Sequence, residues 1–281
     1  MSEIQNKKIP TSADDFEDDY QEDNTLVYSD NENKFSDNDV DTDEINVSLK
    51  RKQEMTSEEP PKKKKKKHPK KKREENPFDK INISQEDIQV QANYLADRQK
   101  IALPQLSTVE LEEQVLPVSN LVDNEKFKEE HVLESLPKYV KFGVAGHKKL
   151  SKKPTQLASP VVLIITHSAI RAVNLVRALK EFSSTAKIAK LFAKHFKIED
   201  QIKFLEQEAI HIGVGTPNRL LTLVEQGHLK LDNLELVVID TERNPKSFNI
   251  FDIQEVRGDL FNFLGQFISP LMKDKTKIGL F

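Results

Sequence analysis

Residues 209–240, AIHIGVGTPNRLLTLVEQGHLKLDNLELVVID, constrain the fold more than any other part of the chain. Ile210, Ile212 and Val214 alternate as in a short strand, and Gly215, Thr216 and Pro217 turn the chain. Leu220, Leu221 and Val224 then recur at helical spacing, and Gly227 closes that helix. An apolar run from Leu234 to Ile239 follows, with Asp240 behind it. Strand, turn, helix and strand in this order make the βαβ unit of a parallel sheet, whose buried strands read as Val/Ile/Leu runs. Thr216 takes the N-cap position and Pro217 the first helical position, where a missing N–H is harmless. Such a turn offers backbone N–H groups and the positive end of a helix dipole, a local seat for a phosphate.

The same alternation runs through residues 130–281. Val132, Leu133 and Leu136 predict a helix ending near Pro137, and residues 161–166 (VVLIIT) a buried strand. Ile170, Val173, Val176 and Leu179 predict the inward stripe of a helix. Residues 188–192 read as a strand, and residues 198–208 as a helix with Ile202 and Leu205 inward. An irregular turn and a helix occupy residues 248–264, and residues 277–281 (KIGLF) form a last strand. The expected fold class is therefore α/β, a doubly wound parallel sheet with flanking helices in one domain of about 150 residues. Residues 78–129 read as short amphipathic pieces joined by linkers. Ser84 with Asp87, and Ser107 with Glu110, mark helix starts. Ile88, Ala92, Leu95 and Ala96 make one stripe, and Pro104 and Pro117 interrupt the run. Such pieces need a surface to lie on, either the following domain or a partner protein.

The N-terminal part is of another kind. Apolar residues make up only 37% of the chain, and residues 1–59 are dominated by Asp, Glu, Asn and Ser. That segment buries too little to offset its ordering entropy, so disorder is expected over an arm spanning residues 1–77. Ser12, Ser29 and Ser36 each have an acidic residue three positions on, as substrates of an acidophilic kinase do, although an acidic tail contains such spacings by chance. The net charge of −3 hides a basic cluster: Lys62, Lys63, Lys64, Lys65, Lys66, Lys67, Lys70, Lys71, Lys72 and Arg73, with Lys50, Arg51 and Lys52 upstream. A like-charged run repels itself and stays extended, and it suits a nuclear address or a contact to nucleic-acid phosphates. The absence of cysteine excludes disulfides and thiolate metal sites. No apolar run approaches the roughly 20 residues of a membrane helix, so no membrane partner is expected. His147, His195, His211 and His228 show no metal-binding spacing, and no cofactor is expected.

The order of these fragments resembles the first RecA-like domain of a DEAD-box RNA helicase. Thr166 opens a strand-to-helix turn where that family has Pro-Thr-Arg-Glu-Leu-Ala. Gln201 and Leu205 lie in a helix like the one after its Gly-Gly turn. VGTPNRL (residues 214–220) resembles its Thr-Pro-Gly-Arg motif, and VVID (residues 237–240) the strand ending in Asp-Glu-Ala-Asp. The departures concern catalysis. A phosphate loop needs two glycines with four residues between them, then Lys and a hydroxyl residue, to wrap and neutralise phosphates. The candidate GVAGHKKLS (residues 143–151) lacks that spacing. Asp240 stands where the metal-binding Asp would be, but Thr241 replaces the water-activating Glu and Arg243 the last Asp. No second RecA-like domain follows, and Asp240 reads as a strand-end residue capping a neighbouring turn. KLFAKHFKIEDQIKFL (residues 190–205), residues 214–240 and the acidic-then-lysine arm are similar to the Cms-one family of eukaryotic nucleolar proteins, which carry a degenerate helicase-like domain.

That resemblance implies a non-catalytic ribosome-biogenesis factor of the early (90S) small-subunit pre-ribosome, in the nucleus and nucleolus. Its implied partners are pre-rRNA, small nucleolar RNA and small-subunit processome proteins, with the chain monomeric inside the particle. By analogy with helicases, Thr166, His167, Ser168 and Arg171 at one turn, and Gly215, Thr216, Asn218 and Arg219 at another, are candidates to hold an RNA sugar–phosphate chain. Such contacts position RNA without reading its sequence. The plainer reading of the second turn is a helix cap with Arg219 paired to a nearby acid. Lys187, Lys190, Lys194, Lys197 and Lys203, interleaved with Phe192, Phe196 and Phe204, form a basic stretch that suits RNA, an acidic partner or simple solvation. Two other classes stay open: a divergent ATP-binding enzyme using residues 143–151, and a DNA-associated nuclear protein.

Overall fold

A computed structural model describes residue 78 and residues 81–144, 149–152, 154–185 and 187–281 of the chain. The acidic segment, the basic cluster at residues 62–73 and residues 145–148 of the glycine-containing loop lie outside the described residues. Five parallel strands form the sheet: β1 (Val162–Ile165), β2 (Lys187–Leu191), β3 (Ile210–Gly215), β4 (Leu236–Ile239) and β5 (Lys277–Leu280). Their order is β2-β3-β1-β4-β5. Because all strands run the same way, their carboxyl ends share one edge. Ile165 pairs with Gly215 on one side and Ile239 on the other. The expected α/β class and all five expected strands are present.

Alternation along each strand divides the core into two layers. Leu163, Ile165, Val237, Ile239, Ile278 and Leu280 face one layer; Val162, Ile164, Leu236 and Val238 face the other. The first layer is closed by α1 (Ile88–Ala102), α5 (Ile198–Gln207), α6 (Pro217–Glu225) and α7 (Gln254–Phe263), through Tyr94, Leu205, Leu220, Leu223, Leu260 and Phe261. The second is closed by α3 (Leu136–Gly143) and α4 (Ala169–Ala178), through Tyr139, Val140, Ala172 and Leu175. A π-helical turn (Leu264–Ile268) and α8 (Ser269–Met272) continue α7. The short α2 (Thr108–Glu113) starts with the expected capping box between Ser107 and Glu110.

Several sequence expectations shift. Pro137 lies in the first turn of α3 instead of ending a helix, because proline's missing donor is harmless there. Ser84 lies in a 3₁₀ turn, and it is Asp87 that caps α1, accepting from Gln89 and Val90 N–H. Of the expected stripe of Ile88, Ala92, Leu95 and Ala96, Leu95 is buried and Ile88 and Ala92 pack half-buried against the core, while α1 also buries the polar-bearing Gln91, Tyr94, Arg98 and Gln99. In α4 the buried stripe is Ala172, Leu175 and Leu179, and Ile170 is 67% exposed. Between the two surfaces open to residues 78–129, the contacts run to the chain's own domain. Ile83, Tyr94, Leu95, Leu103, Leu116 and Leu121 enter the first core layer. Val122 N–H donates to Ile278 O at 2.7 Å, which covers the outer edge of β5.

Candidate nucleic-acid interface

The carboxyl edge of the sheet gathers both sequence-predicted turns. Thr166 N–H bonds Gly215 O at 3.0 Å, so the turn after β1 and the turn after β3 are neighbours. Gly215 is required there: a Cβ would run into Leu191 O of the adjacent strand. Thr216 N–H donates to that same carbonyl at 3.1 Å.

At the first turn the side chains are largely turned inward. Asp240, 1% exposed, accepts from Thr166 Oγ1 at 2.7 Å and from Arg171 through Nε (3.1 Å) and Nη2 (2.9 Å). The expected cap of a neighbouring turn by Asp240 is here an ion pair from the end of β4 to Arg171 of α4, with Thr166 after β1 donating to the same carboxylate. Burial alone would pull the Arg171 pKa down, but the hydrogen bond and charge of Asp240, with Glu242 nearby, leave it raised. Ser168 caps α4 by accepting from Arg171 N–H at 3.3 Å. His167 is half-buried, and burial is the main reason its pKa is lowered; Asp240 and Glu242 oppose that and Arg171 adds to it. Thr166 and Arg171 are thus structural partners of Asp240, while His167 and Ser168 keep partial access to solvent.

At the second turn Thr216 is the N-cap residue of α6 and Pro217 its first helical residue, but the Thr216 hydroxyl does not cap the helix. Asn218 Nδ2 donates to Asp259 at 3.2 Å. Arg219 Nη1 donates to Phe196 O at 3.1 Å and to Gln201 Oε1 at 2.8 Å. An amide oxygen and a backbone carbonyl are thus among its partners. Gln201, 1% exposed, also donates to Lys190 O (2.8 Å) and Phe192 O (2.9 Å). This one side chain closes the end of edge strand β2 and ties the loop after β2 to the turn after β3. Sequence spacing gave no hint of that hub beyond the position of Gln201 in a helicase-like helix. Lys190, Lys194 and Lys197 of the basic stretch are exposed on or beside this loop, with Lys190 over the Phe196 ring. Lys187 is paired with Glu208 at 2.6 Å.

A crevice of about 300 Å³ opens beside Asp240, lined among others by Ser84, His131, Arg171, Glu242 and Arg243. Arg243 closes its rim by donating to Ile81 O (3.0 Å) and Ser247 O (2.7 Å). The donor set does not fit a magnesium–nucleotide seat. The Asp240 oxygens face a guanidinium and a hydroxyl, Thr241 donates its hydroxyl to Phe281 O at 2.9 Å, and no metal-holding group of His, Cys, Asp and Glu occurs among the described residues. His211 is 3% exposed.

A family model described as "CMS1: U3-containing 90S pre-ribosomal complex subunit" matches residues 33–279. The chain is 36% identical over 182 residues to Protein CMS1 of Chaetomium thermophilum, covering 64% of this chain and 72% of that one. It is 39% identical over 175 residues to Protein CMSS1 of Homo sapiens, covering 62% and 61%. Over 97 residues it is also 36% identical to the DEAD-box ATP-dependent RNA helicase CshA of Streptococcus pneumoniae, covering 34% of this chain and 18% of the helicase.

Proposed function

Since the chain belongs to the CMS1 family of pre-ribosomal complex subunits, we propose that it is a non-catalytic assembly factor that binds pre-rRNA and assembly proteins in the nucleolus. The family match over residues 33–279 is the observation that carries this reading. The inward use of Asp240 supports the non-catalytic part, because a carboxylate held by Arg171 and Thr166 is not presented to a metal or a water. The division of labour is part of the proposal. The arm of residues 1–77 meets partners through its lysines. Residues 78–129 lie on the sheet domain and offer the exposed Val109 and Val115 to a partner. The domain of residues 130–281 acts as a rigid platform whose carboxyl edge meets an RNA backbone through His167, Ser168, Asn218 and the N–H groups at the start of α6. The chain acts as a monomer, by occupancy and geometry.

Gradient sedimentation of the tagged chain from growing cells tests this. The expected result is migration with large particles holding pre-rRNA and a small nucleolar RNA, and release by ribonuclease. Migration as a free protein would overturn it.

A further inference from the structure

The opposite, amino edge of the sheet carries a feature that the helicase resemblance does not explain. Six lysines are exposed on the three segments that meet there: Lys149 and Lys152 before β1, Lys230 before β4, and Lys273, Lys275 and Lys277 at the start of β5. The segments are bound to one another. Lys230 N–H donates to Ala158 O at 2.8 Å, Lys277 N–H to Glu235 O at 2.9 Å, and Lys275 Nζ to Asp232 O at 2.9 Å. Thr276 Oγ1 holds Leu234 O at 2.8 Å. The strands concerned, β1, β4 and β5, are adjacent in the sheet, so at the usual spacing the lysines span roughly 10–15 Å.

The counter-charge is small. Lys149 pairs with Glu235, which is buried. The other carboxylates described on these segments are the exposed Asp232 and Asp274. The basic character stops toward β2, where Glu206 and Glu208 stand and Lys187 is already paired. Neither arginine nor Phe, Tyr or Trp occurs on the described part of these segments, so there is no guanidinium fork for bases and no platform for stacking. Point charges on a rigid ledge suit a chain of phosphates read without regard to sequence.

We propose that this amino-edge lysine ledge is a second RNA-backbone contact, set at the end of the sheet away from the turns at residues 166–171 and 215–219. It rests on the RNA-binding reading above and extends it: with strands of four to six residues, the two contacts lie on the order of 15–20 Å apart, and one rigid domain holds two RNA segments.

The test uses the full chain and a mixed-sequence RNA hairpin with single-stranded flanks. Lysine acetylation is mapped by mass spectrometry with and without RNA, and affinity is measured against salt. The ledge predicts protection of Lys230, Lys273, Lys275 and Lys277. Replacing Lys230, Lys273 and Lys275 together by Gln flattens the slope of log affinity against log salt by about two. A parallel chain with Lys62–Lys67 changed to Gln still shows the ledge protection. Unprotected ledge lysines and an unchanged slope, while arm lysines are protected, overturn the ledge but leave RNA binding standing. Protection by polyglutamate and not by RNA overturns it in favour of an acidic protein partner. No protection anywhere in the chain overturns both this inference and the RNA-binding reading.

Discussion

Asp240 is the residue whose surroundings say most about what the domain does. In a helicase-like sheet an aspartate at the end of this strand faces a metal ion, whereas here Arg171 and Thr166 use its oxygens. Removing one member of a buried pair strands the other, which costs about 3 kcal/mol. Asp240→Ala is therefore expected to lose about 3 kcal/mol in denaturant unfolding, and wild-type protein is expected to gain no thermal stability from Mg·ATP. A wild-type stability equal to that of the variant, or a nucleotide-dependent rise in Tm, would count against this assignment. Three partly or wholly enclosed histidines contribute to the acid limit. Burial lowers the pKa of His211, His131 and His167 below the ordinary 6.5. The folded state then prefers neutral imidazoles, so stability is full above about 6.5 and falls as pH drops through the lowered values. His211, 3% exposed, is the most enclosed of the three. His211→Leu should reduce the acid-limb slope by at most about 1.4 kcal/mol per pH unit. Urea unfolding across pH 4–8 reads that slope directly.

At the scale of elements, legibility followed the purity of the pattern. The unit β3–α6–β4 was readable because its strands are buried on both faces and its helix has proline at the start and glycine, at φ 75°, just past the end. α1 was not, because the face it buries is partly polar. Arg98 lies near Tyr94, 5.0 Å from the ring centroid, and Gln99 Nε2 reaches Gln114 O at 3.2 Å. Apolar spacing cannot anticipate a stripe made of Gln, Tyr and Arg. The two RNA-candidate turns were located correctly in the fold, but composition could not reveal that Gln201 and Phe196 hold Arg219. The segment before the sheet domain is held by another such polar centre. Asn124 donates to Ser84 O (2.8 Å) and Leu280 O (2.6 Å) and accepts from Tyr139 Oη (2.7 Å). Burial pushes the Tyr139 pKa up, so the phenol remains a donor at any physiological pH. Asn124→Ala removes the partner of Ser84 O, while Tyr139 Oη still reaches Leu280 O at 3.2 Å, so a loss of about 1–3 kcal/mol in all is expected. Hydrogen exchange should quicken first at residues 83–103 in that variant, with β1 and β3 unchanged. Equal quickening across the sheet would mean that the segment and the domain do not open separately.

For the whole molecule, the proposal gives the two ends of the sheet different work. The carboxyl edge carries the two turns with the Asp240 carboxylate locked inside, and the amino edge carries the lysine ledge. Beyond the described residues, the sequence adds a cluster of ten basic residues at 62–73. Under the proposed function, a chain so arranged holds RNA segments and proteins in fixed relation without turnover, as befits a member of a family of pre-ribosomal complex subunits. Ultraviolet crosslinking of the tagged full chain in growing cells, followed by sequencing of the bound RNA and identification of crosslinked peptides, tests that claim most directly. The account predicts pre-rRNA and a small nucleolar RNA, crosslinked to peptides containing His167–Ser168, Asn218 or the lysine clusters. Recovery of messenger or transfer RNA alone, or of no RNA, would contradict it.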